Sequence, residues 1–232
     1  MHLILQAENW VSDEMEFRPE NVGGLFASHV GKGRTAFTDL SKPETPRDVT
    51  FEEFDASCNA VARGLVSAGL GVGDRVAIMS GNRSEFLESI FGAMRAGCVA
   101  VPINIKLADD TIEFLLNDAD VRLAFVDREN EGRYPADQLR VNYDDQSYED
   151  FLDRGDFEPV APENDTVAAQ PYTAGSTGRP KGVLLTHAGI AWVSRAAVGM
   201  RKMDSSVRTL VAAPMYHKNA LQAIKQSLTC GG

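Results

Sequence analysis

The residues with the most chemical content lie in one run, Tyr172-Thr173-Ala174-Gly175-Ser176-Thr177-Gly178-Arg179-Pro180-Lys181-Gly182-Val183. Gly175, Gly178 and Gly182 let the backbone turn sharply and approach a ligand closely. Thr173, Ser176 and Thr177 supply hydroxyl donors, and Ala174 still offers its backbone N–H. Successive N–H groups in such a turn form an anion-binding nest, to which Lys181 adds a full positive charge. Together these are the parts of a cradle for a triphosphate. The spacing is not that of the Walker A loop, which needs Gly-Lys-Ser/Thr after four spacer residues. Here Pro180 precedes Lys181 and Gly182 follows it.

A loop of this kind needs rigid elements on either side. Val167–Tyr172 reads as a strand, with Pro171 marking an edge or a strand end. Val183–Leu185 reads as a short strand after the loop, followed by a helix over 187–200. Thr209–Ala213 reads as another strand and Asn219–Leu228 as a helix. Upstream, Thr50-Phe51-Glu52-Glu53 is a capping box. Phe51, Phe54, Cys58, Val61, Ala62 and Leu65 then mark one helix face, and Gly69 stands where a helix-ending glycine is expected. Strands are expected at Arg75–Met79, Cys98–Val101 and Leu123–Val126. Helices are expected over 84–96 and from a cap at Asp109 or Asp110. This alternation predicts an α/β fold with a mainly parallel sheet and helices packed on it. Gly69-Leu70-Gly71-Val72-Gly73 precedes a strand and lacks GxGxxG spacing, so it reads as a turn.

The run Tyr172–Val183 resembles the signature loop of the adenylate-forming (AMP-binding) superfamily of acyl-CoA synthetases, luciferases and peptide-synthetase adenylation domains. One position departs: Ala174 stands where that loop usually has Ser. Gly73-Asp74-Arg75-Val76-Ala77-Ile78 with Asn82, and Ala96–Asn104, are similar to the early core of that family. Thr186-His187 matches its continuation after the loop, with His187 supporting the helix start. Pro214-Met215-Tyr216-His217-Lys218 resembles its next motif, an aromatic-plus-histidine turn. The resemblance implies that His217 borders the acyl and pantetheine sites; the plainer reading is a surface or capping histidine.

The resemblance implies ATP-dependent activation of a carboxylic acid to an acyl-adenylate, then thioester formation with coenzyme A. Thr173, Ala174, Gly175, Ser176, Thr177, Gly178 and Lys181 would hold the phosphates, with Lys181 offsetting their charge. Magnesium is implied by the polyphosphate, with no protein ligand assigned to it here. The later motifs of the family are missing from the 232 residues. The expectation is therefore an N-terminal portion of an AMP-binding domain over 1–232, inactive by itself. The alternatives are a domain that loads a carrier protein and a non-catalytic nucleotide-binding remnant.

Composition narrows the rest. The formal net charge is -10, which argues against a general nucleic-acid binder. From Asp109 to Asp165 there are 18 Asp or Glu against 5 Arg and no Lys, which reads as a solvated surface; within it, Asp127–Asp165 is weakly periodic and reads as a surface excursion with a short helix around Tyr148–Leu152. Cys58, Cys98 and Cys230 lie far apart without CxxC spacing, so neither a disulfide framework nor a zinc site is expected. No run is long and apolar enough to span a bilayer and the start lacks a basic signal region, so a cytoplasmic location is expected.

Overall fold

The computed structural model describes residues 19–173 and 178–232. Two 3-10 turns, Val22–Gly24 and Ala27–His29, lead into an antiparallel hairpin of β1 (Thr35–Asp39) and β2 (Arg47–Thr50). At Thr50 the capping box forms: the Thr50 hydroxyl accepts from the Glu53 N–H at 3.1 Å, and the Glu53 carboxylate accepts from the Thr50 N–H at 2.8 Å. It starts α1 (Phe51–Ser67), which buries all six residues of the apolar face read from the sequence. Gly69 follows at φ +81°, the left-handed conformation that ends helices.

β3 (Arg75–Met79), α2 (Ser84–Arg95), β4 (Val99–Pro102), α3 (Asp109–Asp118) and β5 (Val121–Val126) continue the alternation, and β6 (Arg140–Asn142) and α4 (Gln146–Phe151) follow. β7 (Val167–Ala169), β8 (Tyr172–Thr173), β9 (Lys181–Gly182), β10 (Leu185–Thr186), α5 (His187–Arg201) and α6 (Lys218–Cys230) complete the described elements. The main sheet has six strands in the order β10-β7-β4-β3-β5-β6. All its pairs are parallel except β10 with β7. Helices cover the parallel strands, which is why these read as unbroken apolar runs.

The larger core lies between β1–β2, α1, α2 and the sheet. There Phe26 stacks on Phe54 at 4.7 Å, and Phe91 meets Phe54 edge-on at 5.5 Å. α1 and α2 approach closely because Gly92 has no side chain; a Cβ there would lie 2.6 Å from Val61 Cβ. Arg95 is buried beneath this cluster, but its guanidinium is satisfied by Asp55 Oδ1 at 2.6 Å and the Gly23 carbonyl at 2.8 Å. The smaller core lies under α3 on the other sheet face. Cys58 and Cys98 are free and buried, and burial pushes both thiols up.

The structure corrects several sequence expectations. Val167–Tyr172 is not one strand: Gln170 and Pro171 divide it into β7 and β8. Val183 and Leu184 lie between β9 and β10 rather than in a strand, and both are exposed. Thr209–Ala213 forms no strand; among the described residues no backbone ladder reaches it, and Leu210 is 80% exposed. The residue before α3 is Ala108, which has no side chain to cap it; Asp109 and Asp110 are instead the first helical residues, and the Asp109 carboxylate pairs with Arg133 at 2.6 Å. The acidic stretch is more than a surface excursion. It contributes β6 to the sheet and buries Tyr143 and Tyr148, which reach Ser89 and Glu88 at 2.7 Å each.

Candidate functional site

β8 and β9 form a separate two-stranded hairpin with Tyr172 opposite Gly182 and Thr173 opposite Lys181. Successive strand residues point to opposite faces. The Thr173–Lys181 rung therefore places a hydroxyl and an ammonium on one face, and both residues are exposed. The Tyr172–Gly182 rung turns the other way, toward the protein body. There the Tyr172 hydroxyl donates to Asp118 Oδ2 at 2.6 Å and accepts from Gln170 Nε2 at 3.0 Å. Burial and the Asp118 carboxylate raise the Tyr172 pKa, so the phenol keeps its proton. A Cβ on Gly182 would lie 2.6 Å from Gln170 Nε2, so glycine admits this close packing.

Ala174, Gly175, Ser176 and Thr177 lie outside the described residues. Gly178 resumes the chain at φ +92°, a conformation that favours glycine. Next to it, the Arg179 guanidinium lies over the Phe114 ring at 5.2 Å. The exit from the hairpin is fixed by the Val183 N–H, which donates to the Pro171 carbonyl at 2.9 Å. Thr186 then caps α5 by accepting from the Gly189 N–H at 3.1 Å. His187, first residue of α5, is fully buried, and its Nδ1 accepts from the Val22 N–H at 3.0 Å. Burial alone pushes its pKa down to about 4. It is thus a neutral structural acceptor at the helix start, tying α5 to the first 3-10 turn.

The structure pairs Thr173 with Lys181 in the hairpin, with Gly178 in the segment leading into β9, while His217 stands on a different element. It is the residue preceding α6 and is exposed, with its ring 4.8 Å from that of Tyr216. It makes no side-chain cap bond to the helix, so the capping reading is not met. The turn that presents it is held from afar. Asn82, after β3, donates Nδ2–H to the Ala213 carbonyl at 3.0 Å and accepts the Met215 N–H on Oδ1 at 2.8 Å. Asp118 and Phe114 carry no signal of type or spacing, because each acts through a contact with a residue more than fifty positions away; Gln170 acts locally on Tyr172, but nothing in its type marks it.

Among the described residues no group of three or more His, Cys, Asp or Glu is arranged to hold a metal ion. In the acidic stretch, Arg133, Arg140 and Arg154 instead pair with Asp109, Glu131 and Glu149. A cavity of about 720 Å³ lies between β1, the start of α2, residues 208–212 and α6. No residue of the β8–β9 hairpin lines it. An anion nest is an exposed rim of N–H and cationic groups and need not be a deep pocket. Among the described residues no helix is long and apolar enough to cross a membrane.

With this geometry in hand, comparison with known proteins fixes the class. The family model "AMP-binding enzyme" matches residues 27–232, and the chain belongs to that family. Over 179 residues the chain is 34% identical to a feruloyl-CoA synthase of Amycolatopsis sp., covering 75% of this chain and 35% of that protein. It is 29% identical over 214 residues to a fatty acid–[acyl-carrier-protein] ligase of Streptomyces coeruleorubidus, covering 85% and 41%. Its fold matches that of ATP-bound MatB from Rhodopseudomonas palustris with a TM-score of 0.82 at 26% identity, covering 91% of this chain and 44% of the other. The chain thus spans less than half the length of these relatives.

Proposed function

We propose that this chain supplies the polyphosphate cradle of a carboxylate-activating ligase. The reaction is attack of a carboxylate oxygen on the α-phosphorus of ATP, which forms an acyl-adenylate and releases pyrophosphate. The thiol of coenzyme A then attacks the acyl carbon and releases AMP. The observation that supports this reading is the Thr173–Lys181 rung, which sets a hydroxyl and an ammonium side by side on the exposed face of a glycine-bounded hairpin. Ala174, Gly175, Ser176, Thr177 and Gly178 would line the same cradle with backbone N–H groups and hydroxyls. Lys181 offsets the charge that builds on the pyrophosphate as the bond to the α-phosphorus breaks, which is electrostatic stabilisation plus positioning. No step is assigned to magnesium, which would arrive with the nucleotide. By the resemblance of Pro214–Lys218 to the AMP-binding family's motif, His217 would border the acyl and thiol groups.

The relatives include both CoA ligases and a carrier-protein ligase. The Pro214-Met215-Tyr216-His217 turn favours the stand-alone CoA type, and a carrier-protein acceptor is the second reading. The 232 residues alone are expected to show no carboxylate-dependent pyrophosphate release. The test of the cradle is ATP binding by calorimetry. Lys181→Ala should weaken it about 10- to 150-fold, the range set by a charge-assisted hydrogen bond. Thr177→Val should lose less. Unchanged affinity in Lys181→Ala would sink the assignment.

A further inference from the structure

A hairpin with two residues in each strand does not hold itself in water. The position of the phosphate loop must therefore come from what its two arms rest on. On the ascending arm, the Tyr172 hydroxyl donates to Asp118 at 2.6 Å. On the returning arm, the Arg179 guanidinium covers the Phe114 ring at 5.2 Å. Phe114 and Asp118 are four residues apart on α3 and so stand on one face of that helix. α3 is itself anchored, because Ile112, Leu115 and Leu116 on its other side are buried in the smaller core. Gln170 completes the grip by donating to the Tyr172 oxygen at 3.0 Å, which leaves the phenolic proton directed at Asp118.

We propose that α3 is the platform that positions the phosphate hairpin, gripping one arm through Asp118 and the other through Phe114. Asp118 is then a positioning residue for polyphosphate binding without touching the ligand. The proposal rests on the reading of Thr173 and Lys181 as phosphate-holding residues. Arg179 has a defined place in it: stacked on Phe114, it braces the returning arm instead of acting as a loose surface cation.

The test uses the whole chain, with ATP as the probe, and two readouts. The first is a double-mutant cycle in ATP affinity. Asp118→Ala and Tyr172→Phe should each weaken binding about three- to tenfold, and the double variant should be no worse than the weaker single one. Asp118→Asn keeps an acceptor for the Tyr172 hydroxyl and should restore affinity to within about twofold of the original. The second readout is amide hydrogen exchange at Thr173, Lys181 and Val183, which needs no ligand. It should accelerate in Asp118→Ala and recover in Asp118→Asn. Additive losses, no recovery in Asp118→Asn, or faster exchange with unchanged ATP affinity would each overturn the positioning role. If the unsubstituted chain fails to bind ATP, the proposed function falls, and the exchange readout still decides whether α3 holds the hairpin.

Discussion

The Asn82 side chain and the Met215 backbone N–H meet at 2.8 Å across 133 residues of sequence. The same amide donates to the Ala213 carbonyl at 3.0 Å, so one side chain satisfies both a donor and an acceptor of a segment that has no strand partner among the described residues. This pair adds to the turn's own His217 N–H to Pro214 carbonyl bond and to the burial of Tyr216 in the larger core in holding residues 213–217. It also joins the C-terminal end of β3, where ligands of open α/β sheets bind, to the turn that carries His217.

Removing that amide should therefore loosen the turn without touching the core. Asn82→Ala leaves the part-buried Met215 N–H without its acceptor, while the exposed Ala213 carbonyl turns to water, so the expected cost is about 1 kcal/mol. Asn82→Asp keeps the acceptor but loses the donor and should fall between. Denaturant midpoints at constant m-value would check the order. An Asn82→Ala midpoint equal to that of the parent chain would show that the segment is held by other contacts.

Two buried groups should give the stability opposite dependences on pH. Glu88 is 4% exposed, and burial raises its pKa from 4.5 to about 7, partly offset by the bond from Tyr148; Glu85, Glu149 and Arg47 act on it more weakly. Between those pH values the folded state binds the extra proton, so this contribution to stability falls as pH rises from about 4.5 to about 7. His187 behaves in reverse. Its pKa drops from 6.5 to about 4, so the unfolded state binds the extra proton and stability falls as pH drops through that window. Glu88→Gln should thus gain stability over the parent at pH 8, on the order of 2–4 kcal/mol, with the gain shrinking toward pH 5. Urea titrations of both chains from pH 5 to 8 measure it. A difference that does not vary with pH would show that Glu88 is not the titrating group.

What was legible in the sequence follows the range of the interactions. α1 was readable because Thr50, Glu53 and Gly69 act within a few residues of themselves, and its apolar face repeats locally. β3, β4 and β5 were readable because strands buried on both faces are plain apolar runs. β6 was not, since Arg140-Val141-Asn142 carries a single apolar residue and is a strand only because β5 lies beside it. Thr209–Ala213 fails in the opposite way: its composition suits a strand, but among the described residues it has no neighbour. At the candidate site, the loop residues draw attention by type, since glycines, hydroxyls and a lysine stand close in sequence. Asp118 does not, because its partner Tyr172 is 54 residues away.

Gly182 offers a local test of hairpin packing. Its φ is ordinary for any residue, so replacement acts only through space. In Gly182→Ala the new methyl meets the Gln170 amide, which must move and give up its bond to the Tyr172 hydroxyl. The expected loss is about 1–2 kcal/mol. Trimming the obstacle in the double variant Gly182→Ala, Gln170→Ala should recover part of it. Thermal unfolding of the three variants decides the matter. A double variant worse than the sum of the singles would mean that Gln170 serves something other than this contact.

The outer face of α5 leads to the last prediction. Trp192, Val193 and Met200 are 64%, 43% and 85% exposed, and Leu184 just before the helix is 58% exposed. Trp192, Ala196 and Met200 are spaced by four residues, so they form one stripe along the helix. Isolated exposed apolar residues are ordinary, but a continuous stripe ending in a tryptophan is a sticky surface. The net charge of -10 opposes association only over about a Debye length and is screened by salt. The chain should therefore self-associate at micromolar concentration, more strongly as salt rises. Trp192→Lys with Met200→Glu should reduce association without lowering the unfolding midpoint, because neither side chain packs in the core. Light scattering against concentration at low and high salt measures this. A monodisperse monomer at both salts, unchanged by the substitutions, would show that the stripe does not drive contact between copies.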